Sequence, residues 1–233
     1  METRIGRARP TFADIGRSAN NDMETPKLSV IVPVYNVGFL VTTALESIPR
    51  RPDIEVIAYD DGSTDHTLQI LQNYAKDTDL NLRVMVGGEN HGAGYAKNRM
   101  LEVASGEWFH ALDSDDYVYT DVYNELVDYL YRSDMDVVCF SLQMNDGSIH
   151  HLTEASRDTI CAQTVRFIRR EFAKGIKFPE DGSFGEDWHY NRALMARYPH
   201  IIYTDRVAYH YNHPRIGSLC DLFEKGLIEC NIS

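Results

Sequence analysis

Apolar residues fall along this chain in short dense runs, separated by stretches in which they recur every three or four positions. Leu28-Ser29-Val30-Ile31-Val32-Pro33-Val34, Ile54-Glu55-Val56-Ile57-Ala58-Tyr59 and Trp108-Phe109-His110-Ala111-Leu112 are short and rich in β-branched and aromatic residues, so they predict buried strands, and Leu82–Val86 predicts a further strand. Pro33 falls near the end of the first run, where a missing N–H is tolerated. Asp136–Leu142 predicts another strand, turning at Asn145-Asp146-Gly147 towards a shorter one near Ile149, and Val207–Tyr211 predicts a last one. Helical spacing appears between the runs. It covers Phe39–Ile48, then Leu68, Leu71 and Ala75 on one face of a helix that Ser63 or Thr64 is placed to cap. It returns at Ala93–Ala104 with Gly106 as the expected C-cap, at Val122, Leu126, Tyr129 and Leu130, and over 163–174 and 187–198. Strand and helix alternate up to about residue 142. That order predicts an α/β fold with a Rossmann-like, mostly parallel central sheet flanked by helices and a smaller C-terminal region.

The polar residues that interrupt this pattern sit where such a sheet binds ligands. Open α/β sheets place their crevice at the carboxyl ends of the strands, and three predicted strands end in polar clusters: Tyr35-Asn36, Asp60-Asp61-Gly62-Ser63-Thr64-Asp65 and Asp113-Ser114-Asp115-Asp116. In extended backbone, residues i and i+2 point the same way, so Asp113 and Asp115 reach one small volume. Carboxylates crowded there need a positive partner, and an all-oxygen ligand set suits Mg²⁺ or Mn²⁺. The competing explanation for each cluster is a capped turn or an acidic helix start. Asn90-His91-Gly92-Ala93-Gly94 opens another helix, with glycines that permit close backbone approach and an N-terminus that favours anions. Lys97, Asn98 and Arg99 follow on consecutive positions and therefore point in different directions.

Taken in order, Ser29–Asn36, Asp60–Asp65, Asn90–Arg99, Asp113–Asp116 and Gly185-Glu186-Asp187-Trp188 resemble the inverting family 2 glycosyltransferases of GT-A fold, and the resemblance runs from about Lys27 to about Leu219. It implies transfer of a sugar from a nucleotide-diphosphate donor, a UDP-sugar above others, to an acceptor hydroxyl on a glycan or lipid-linked acceptor, in bacterial surface polysaccharide or glycoconjugate synthesis. On this chain it puts Asp61 at the edge of a uracil-type base, with Pro33, Tyr35 and Asn36 lining the same pocket. Asn98 and Arg99 are then sugar- or ribose-proximal, Asp113 lies near the ribose, and Asp113 with Asp115 holds Mn²⁺ or Mg²⁺. Asp187 is the expected general base, while Glu186 and Trp188 face the acceptor. His210 is a further candidate metal ligand, and Arg215 with Ser218 a phosphate grip. A covalent intermediate would need a second, nucleophilic carboxylate, which no motif obviously supplies.

Composition narrows the field further. The 233 residues suit one sizeable domain, expected over 27–233 with a nucleotide-binding half at 27–116 and an acceptor-side half at 117–233. The net charge of −12, from 35 acidic against 23 basic residues, argues against a general nucleic-acid binder. No run approaches the roughly 18 consecutive apolar residues of a membrane span. Cys139, Cys161, Cys220 and Cys230 form no metal-type pairs and read as reduced thiols, which fits a cytoplasmic setting. Residues 1–26 carry Arg4, Arg7, Arg9 and Arg17 without an apolar core, so they read as a flexible arm or an upstream start before Met23 rather than a secretory signal. Peripheral contact of that arm with the inner face of a membrane is the minor alternative. Two rival functions stay open. A non-catalytic nucleotide-sugar or carbohydrate binder shares all these residues. A sugar-phosphate nucleotidyltransferase would carry a Gly-rich loop after the first strand, where this chain has Pro33-Val34-Tyr35-Asn36.

Overall fold

The computed structural model describes residues 26–154, 163–181, 185–213, 215, 222, 225 and 226. The first strand, β1 (Leu28–Val34), lies in the middle of the nucleotide-side half and pairs in parallel with β2 (Ile54–Asp60) on one side and β4 (Trp108–Ala111) on the other. β3 (Leu82–Val86) extends the sheet beyond β2, again in parallel. Leu28, Val30, Ile31 and Val32 are fully buried, as are Val56, Ala58, Trp108 and Ala111. Strands with both faces covered read as continuous apolar runs, which is why β1, β2 and β4 were legible; β3, a partly exposed strand, was legible from its β-branched residues.

The helices follow the expected order. They are α1 (Leu40–Ser47), α2 (Thr67–Asp77), α3 (Ala93–Val103) and α4 (Thr120–Leu130), with α3 packed on β1 and β2. Past β4 the sheet changes character. Its full order is β3-β2-β1-β4-β8-β6-β9-β5, with β7 (Ile149–His150) on β6 (Val137–Met144). β8 (Arg166–Arg169) runs antiparallel to both β4 and β6, β9 (Ile201–Tyr211) is parallel to β6, and the short β5 (Tyr117–Val118) closes the edge antiparallel to β9.

Three local expectations are corrected. Residues 163–174 are not one helix: Gln163–Val165 form a 3₁₀ turn, β8 follows, and α5 (Arg170–Ala173) is a single turn. The apolar residues Val165, Phe167 and Ile168 fit either period, but β4 and β6 would otherwise face each other with unpaired edges, and β8 fills that gap. Gly106 is not a C-cap. Helix α3 ends on Ala104 in extended backbone, and a Cβ on Gly106 would lie 2.6 Å from the Ser29 amide nitrogen, so the glycine serves a close approach of chains. Ser63 and Thr64 do not cap α2 either: Asp65 accepts from the Thr67 amide at 2.9 Å. Their hydroxyls bind Asn36 instead, and the Thr67 hydroxyl accepts from the Val37 and Gly38 amides. The loops after β1 and β2 are thereby stitched together beneath the site. Helix α6 (Glu186–Met195) begins one residue before the expected position.

Candidate active site

Parallel pairing brings the carboxyl ends of β1, β2 and β4 to one edge of the sheet, and the acidic loops leave from there. Asp61 directly follows β2 and is buried. Its Oδ2 accepts from the backbone amides of His91 at 3.0 Å and Gly92 at 2.7 Å, while Oδ1 is buried with no hydrogen-bond partner among the described residues. Burial raises its pKa above the usual carboxylate value against the pull of those two amides. Gly62, at φ +75°, lets the chain turn here, and a Cβ on it would meet the Glu89 backbone at 2.7 Å. Tyr35 is 41% exposed, Asn36 accepts from the Thr64 amide at 2.8 Å, and Pro33 sits half-buried in β1 opposite Tyr59.

The loop after β4 turns tightly, with the Asp116 amide bound to the Asp113 carbonyl at 3.1 Å. Asp116 points inward, accepting from the Tyr209 hydroxyl at 2.5 Å and the Asn212 amide at 2.8 Å. Burial, reinforced by the Asp115 charge, pushes its pKa up to about 7. Asp113 is raised too, first by burial, then by Asp116, Asp187 and Asp115, with Lys97 opposing. Asp115 pairs with Arg215, whose Nε lies 2.7 Å from Oδ2. The structure thus joins the candidate metal ligand to the candidate phosphate grip in an ion pair. Ser218 lies outside the described residues.

Facing this loop is the start of α6, entered through Gly185 at φ +100°. Lys97 rises from α3, is 1% exposed, and donates to Asp187 at 2.7 Å and to Glu186 at 2.9 Å. Its pKa is raised although burial acts to lower it, because Asp187, Glu186 and Asp113 surround it. The same ammonium holds Glu186 below its usual value against burial. Trp188 is half-buried, with the Arg192 guanidinium 5.3 Å from its ring.

Three other expected residues are engaged elsewhere. Asn98 is buried, bonding both the amide and the carbonyl of Phe178 and the Glu180 carboxylate. Arg99 pairs with Glu102 and Glu180 and lies over the Tyr95 ring. His210 stacks on Tyr117 at 4.3 Å, with Nε2 at Asn145 and Nδ1 at the Tyr119 hydroxyl. Among the described residues no group of three or more His, Cys, Asp or Glu is gathered as a ready cation cage. Sequence reasoning named Lys97 without giving it a role and passed over Tyr209 and Asn212. For Lys97 a signal existed: it shares a helix face with Gly94 and Met100, both buried, and a lysine on a buried stripe calls for carboxylates.

Comparison with known proteins agrees with this architecture. Residues 29–205 match Glycosyl transferase family 2, and the chain belongs to that family. It is 38% identical over 115 residues to the uncharacterized glycosyltransferase YibD of Escherichia coli, covering 48% of this chain and 33% of YibD. It is 34% identical over 209 residues to the poly(ribitol-phosphate) beta-N-acetylglucosaminyltransferase TarS of Staphylococcus aureus, covering 82% of this chain and 36% of TarS. The crystal structure of TarS residues 1–349 with UDP-GlcNAc superposes with a TM-score of 0.71 at 27% identity, over 82% of this chain and 60% of that one. The mannosyltransferase PcManGT of Pyrobaculum calidifontis, solved with GDP-Man and Mn²⁺, shares the fold, with a TM-score of 0.67 at 22% identity over 84% of this chain and 59% of its own. The fold is the GT-A fold. The chain spans about a third of YibD and 60% of the TarS crystal chain. No helix among the described residues is long and apolar enough to cross a membrane.

Proposed function

We propose that this chain moves a glycosyl group from a UDP-sugar to an acceptor hydroxyl in a single displacement, inverting the anomeric centre. The observation that carries this reading is the meeting of the Asp113–Asp116 loop with Glu186 and Asp187 through one buried lysine, at the sheet edge that also presents Asp61. Asp61 supports uridine in particular. Two backbone amides occupy Oδ2, leaving Oδ1 as the open acceptor of this carboxylate among the described residues. A carboxylate oxygen only accepts hydrogen bonds. One imide N–H between two carbonyls suits that lone acceptor, whereas guanine offers two adjacent donors and asks for both oxygens. The uridine rests against Tyr35, Pro33 and Asn36.

Asp113 and Asp115 fit Mn²⁺ or Mg²⁺: two carboxylates of one loop, completed by diphosphate oxygens and water, make the hard oxygen set these ions take. A cation there would relieve the crowding that keeps Asp113 proton-prone. When bound, it stabilises negative charge on the departing diphosphate. Arg215 exchanges Asp115 for the diphosphate, joined by Ser218. His210 enters this set only by giving up Asn145 and Tyr119. Asp187 accepts the proton of the attacking hydroxyl. Glu186 and Trp188 line the acceptor side, and TarS, by its name a poly(ribitol-phosphate) beta-N-acetylglucosaminyltransferase, supports a polymeric glycan acceptor.

The test is thermal stabilisation by UDP and GDP with Mn²⁺, followed by UDP release from a panel of UDP-sugars with glycan acceptors and the anomeric configuration of the product. UDP-selective stabilisation, turnover and inversion are expected. Affinity without turnover would make the chain a binder. Equal affinity for GDP removes the uridine assignment, and a retained configuration removes the single displacement.

A further inference from the structure

Lys97 is almost wholly shielded from solvent, yet it bonds the carboxylate proposed as the general base. Its side chain is 2% exposed, and those of Glu186 and Asp187 are 13% and 21% exposed. A buried ammonium is costly unless it is paired. The converse holds for its partners: two adjacent carboxylates at the start of α6, with Asp113 nearby, repel one another and invite a shared proton. The helix dipole at α6 offsets part of this, but it does not choose an orientation for either carboxylate. Lys97 does. Its Nζ holds Oδ1 of Asp187 at 2.7 Å and Oε1 of Glu186 at 2.9 Å, and it lies 5.2 Å from the centre of the Phe178 ring. Asn98, the next residue on α3, binds the Phe178 backbone at both its amide and its carbonyl, so the segment carrying that ring is pinned to the same helix.

We propose that Lys97 is the positioning residue of the general base: it fixes the orientation of the Asp187 carboxylate and keeps Glu186 beside it as a separate charge, without contacting substrate. The proposal rests on Asp187 being the base. Misplacement of a reacting group by about 1 Å costs roughly 100-fold in rate, so the effect belongs on turnover. Donor affinity is set mainly by Asp61 after β2, which Lys97 does not contact.

The experiment is a double-mutant cycle on the full chain, with wild type, Lys97→Met, Asp187→Asn and the double variant. It reads UDP release from UDP-N-acetylglucosamine in Mn²⁺, with water standing in for the acceptor hydroxyl, and UDP affinity by calorimetry. Lys97→Met is expected to lower kcat about 100-fold with UDP affinity held within about twofold. In the Asp187→Asn background the same change is expected to alter kcat by less than about twofold, since the group it orients has lost its function. A full additional loss in that background, or a parallel loss of UDP affinity, would make Lys97 a structural clamp and overturn the proposal. If circular dichroism shows Lys97→Met unfolded, Lys97→Gln replaces it, keeping a donor without the charge, with the same pattern expected and the same results decisive. Asp187→Asn at wild-type kcat removes the base itself. A slow Asp187→Asn with a fast Lys97→Met removes only the positioning role. No turnover by wild type of any UDP-sugar removes both together.

Discussion

A carboxylate is read by which of its oxygens is already taken. Asp61 has one oxygen held by two amides and one buried without a hydrogen-bond partner among the described residues, so Asp61→Ala should weaken UDP by roughly 10- to 100-fold, the range for a lost hydrogen bond to a charged group. Mn²⁺ affinity should stay close to wild type, and calorimetry with each ligand separates the two. His110 makes the opposite demand. It is fully buried between the Tyr123 hydroxyl and the Thr164 carbonyl, and burial lowers its pKa to about 4. Between pH 6.5 and 4 the unfolded chain therefore binds a proton that the folded one refuses. Stability falls as pH falls through that window, by on the order of 3 kcal/mol for this residue. Denaturant melts across pH should show a flatter profile for His110→Gln, and equal slopes would exclude this source. Asp61, Asp113 and Asp187 were legible as residues because each lies at a strand or helix terminus. The role of Lys97 was not, since its partners lie 89 and 90 residues away.

At the scale of elements, β1, β2, β4 and the first four helices were readable because each carries a single period: continuous apolar runs for the buried strands and a one-sided stripe for the helices. Strand β8 was not. Its four residues follow a 3₁₀ turn and precede a short helix, so the apolar positions satisfy a helical period, and only the two strand edges beside it decide the matter. Helix α3 is the element on which the site depends most. Gly94 brings it so near the 178–179 segment that an added Cβ would fall 2.0 Å from the Pro179 carbonyl oxygen. Gly94→Ala should therefore cost about 1–3 kcal/mol, the range for overpacking, and shift the helix that carries Lys97. Gly88→Ala, with open space around it, is the control and should leave the denaturation midpoint almost unchanged. A Gly94→Ala midpoint equal to that control would mean the contact yields without strain.

Over the whole molecule, the fold gathers more negative charge at one edge than it neutralises. Asp116, raised to about 7, keeps its proton where the unfolded chain has lost it, so its contribution to stability declines as pH rises from about 4 to 7. A divalent cation competes with that proton. The rise in melting temperature on adding Mn²⁺ and UDP should then be larger at pH 8 than at pH 6, and Asp115→Ala should lose most of it; equal shifts at both pH values would count against a cation at this loop. The loop itself is held at both ends. It leaves β4 after Ala111, re-enters the same sheet at Tyr117, and is tied down across its span by Tyr209, Asn212 and Arg215. Its backbone therefore has little freedom left to lose. Binding at this edge begins from a loop already ordered, and the heat-capacity change on donor binding should report buried apolar surface at the base rather than a coil-to-loop transition.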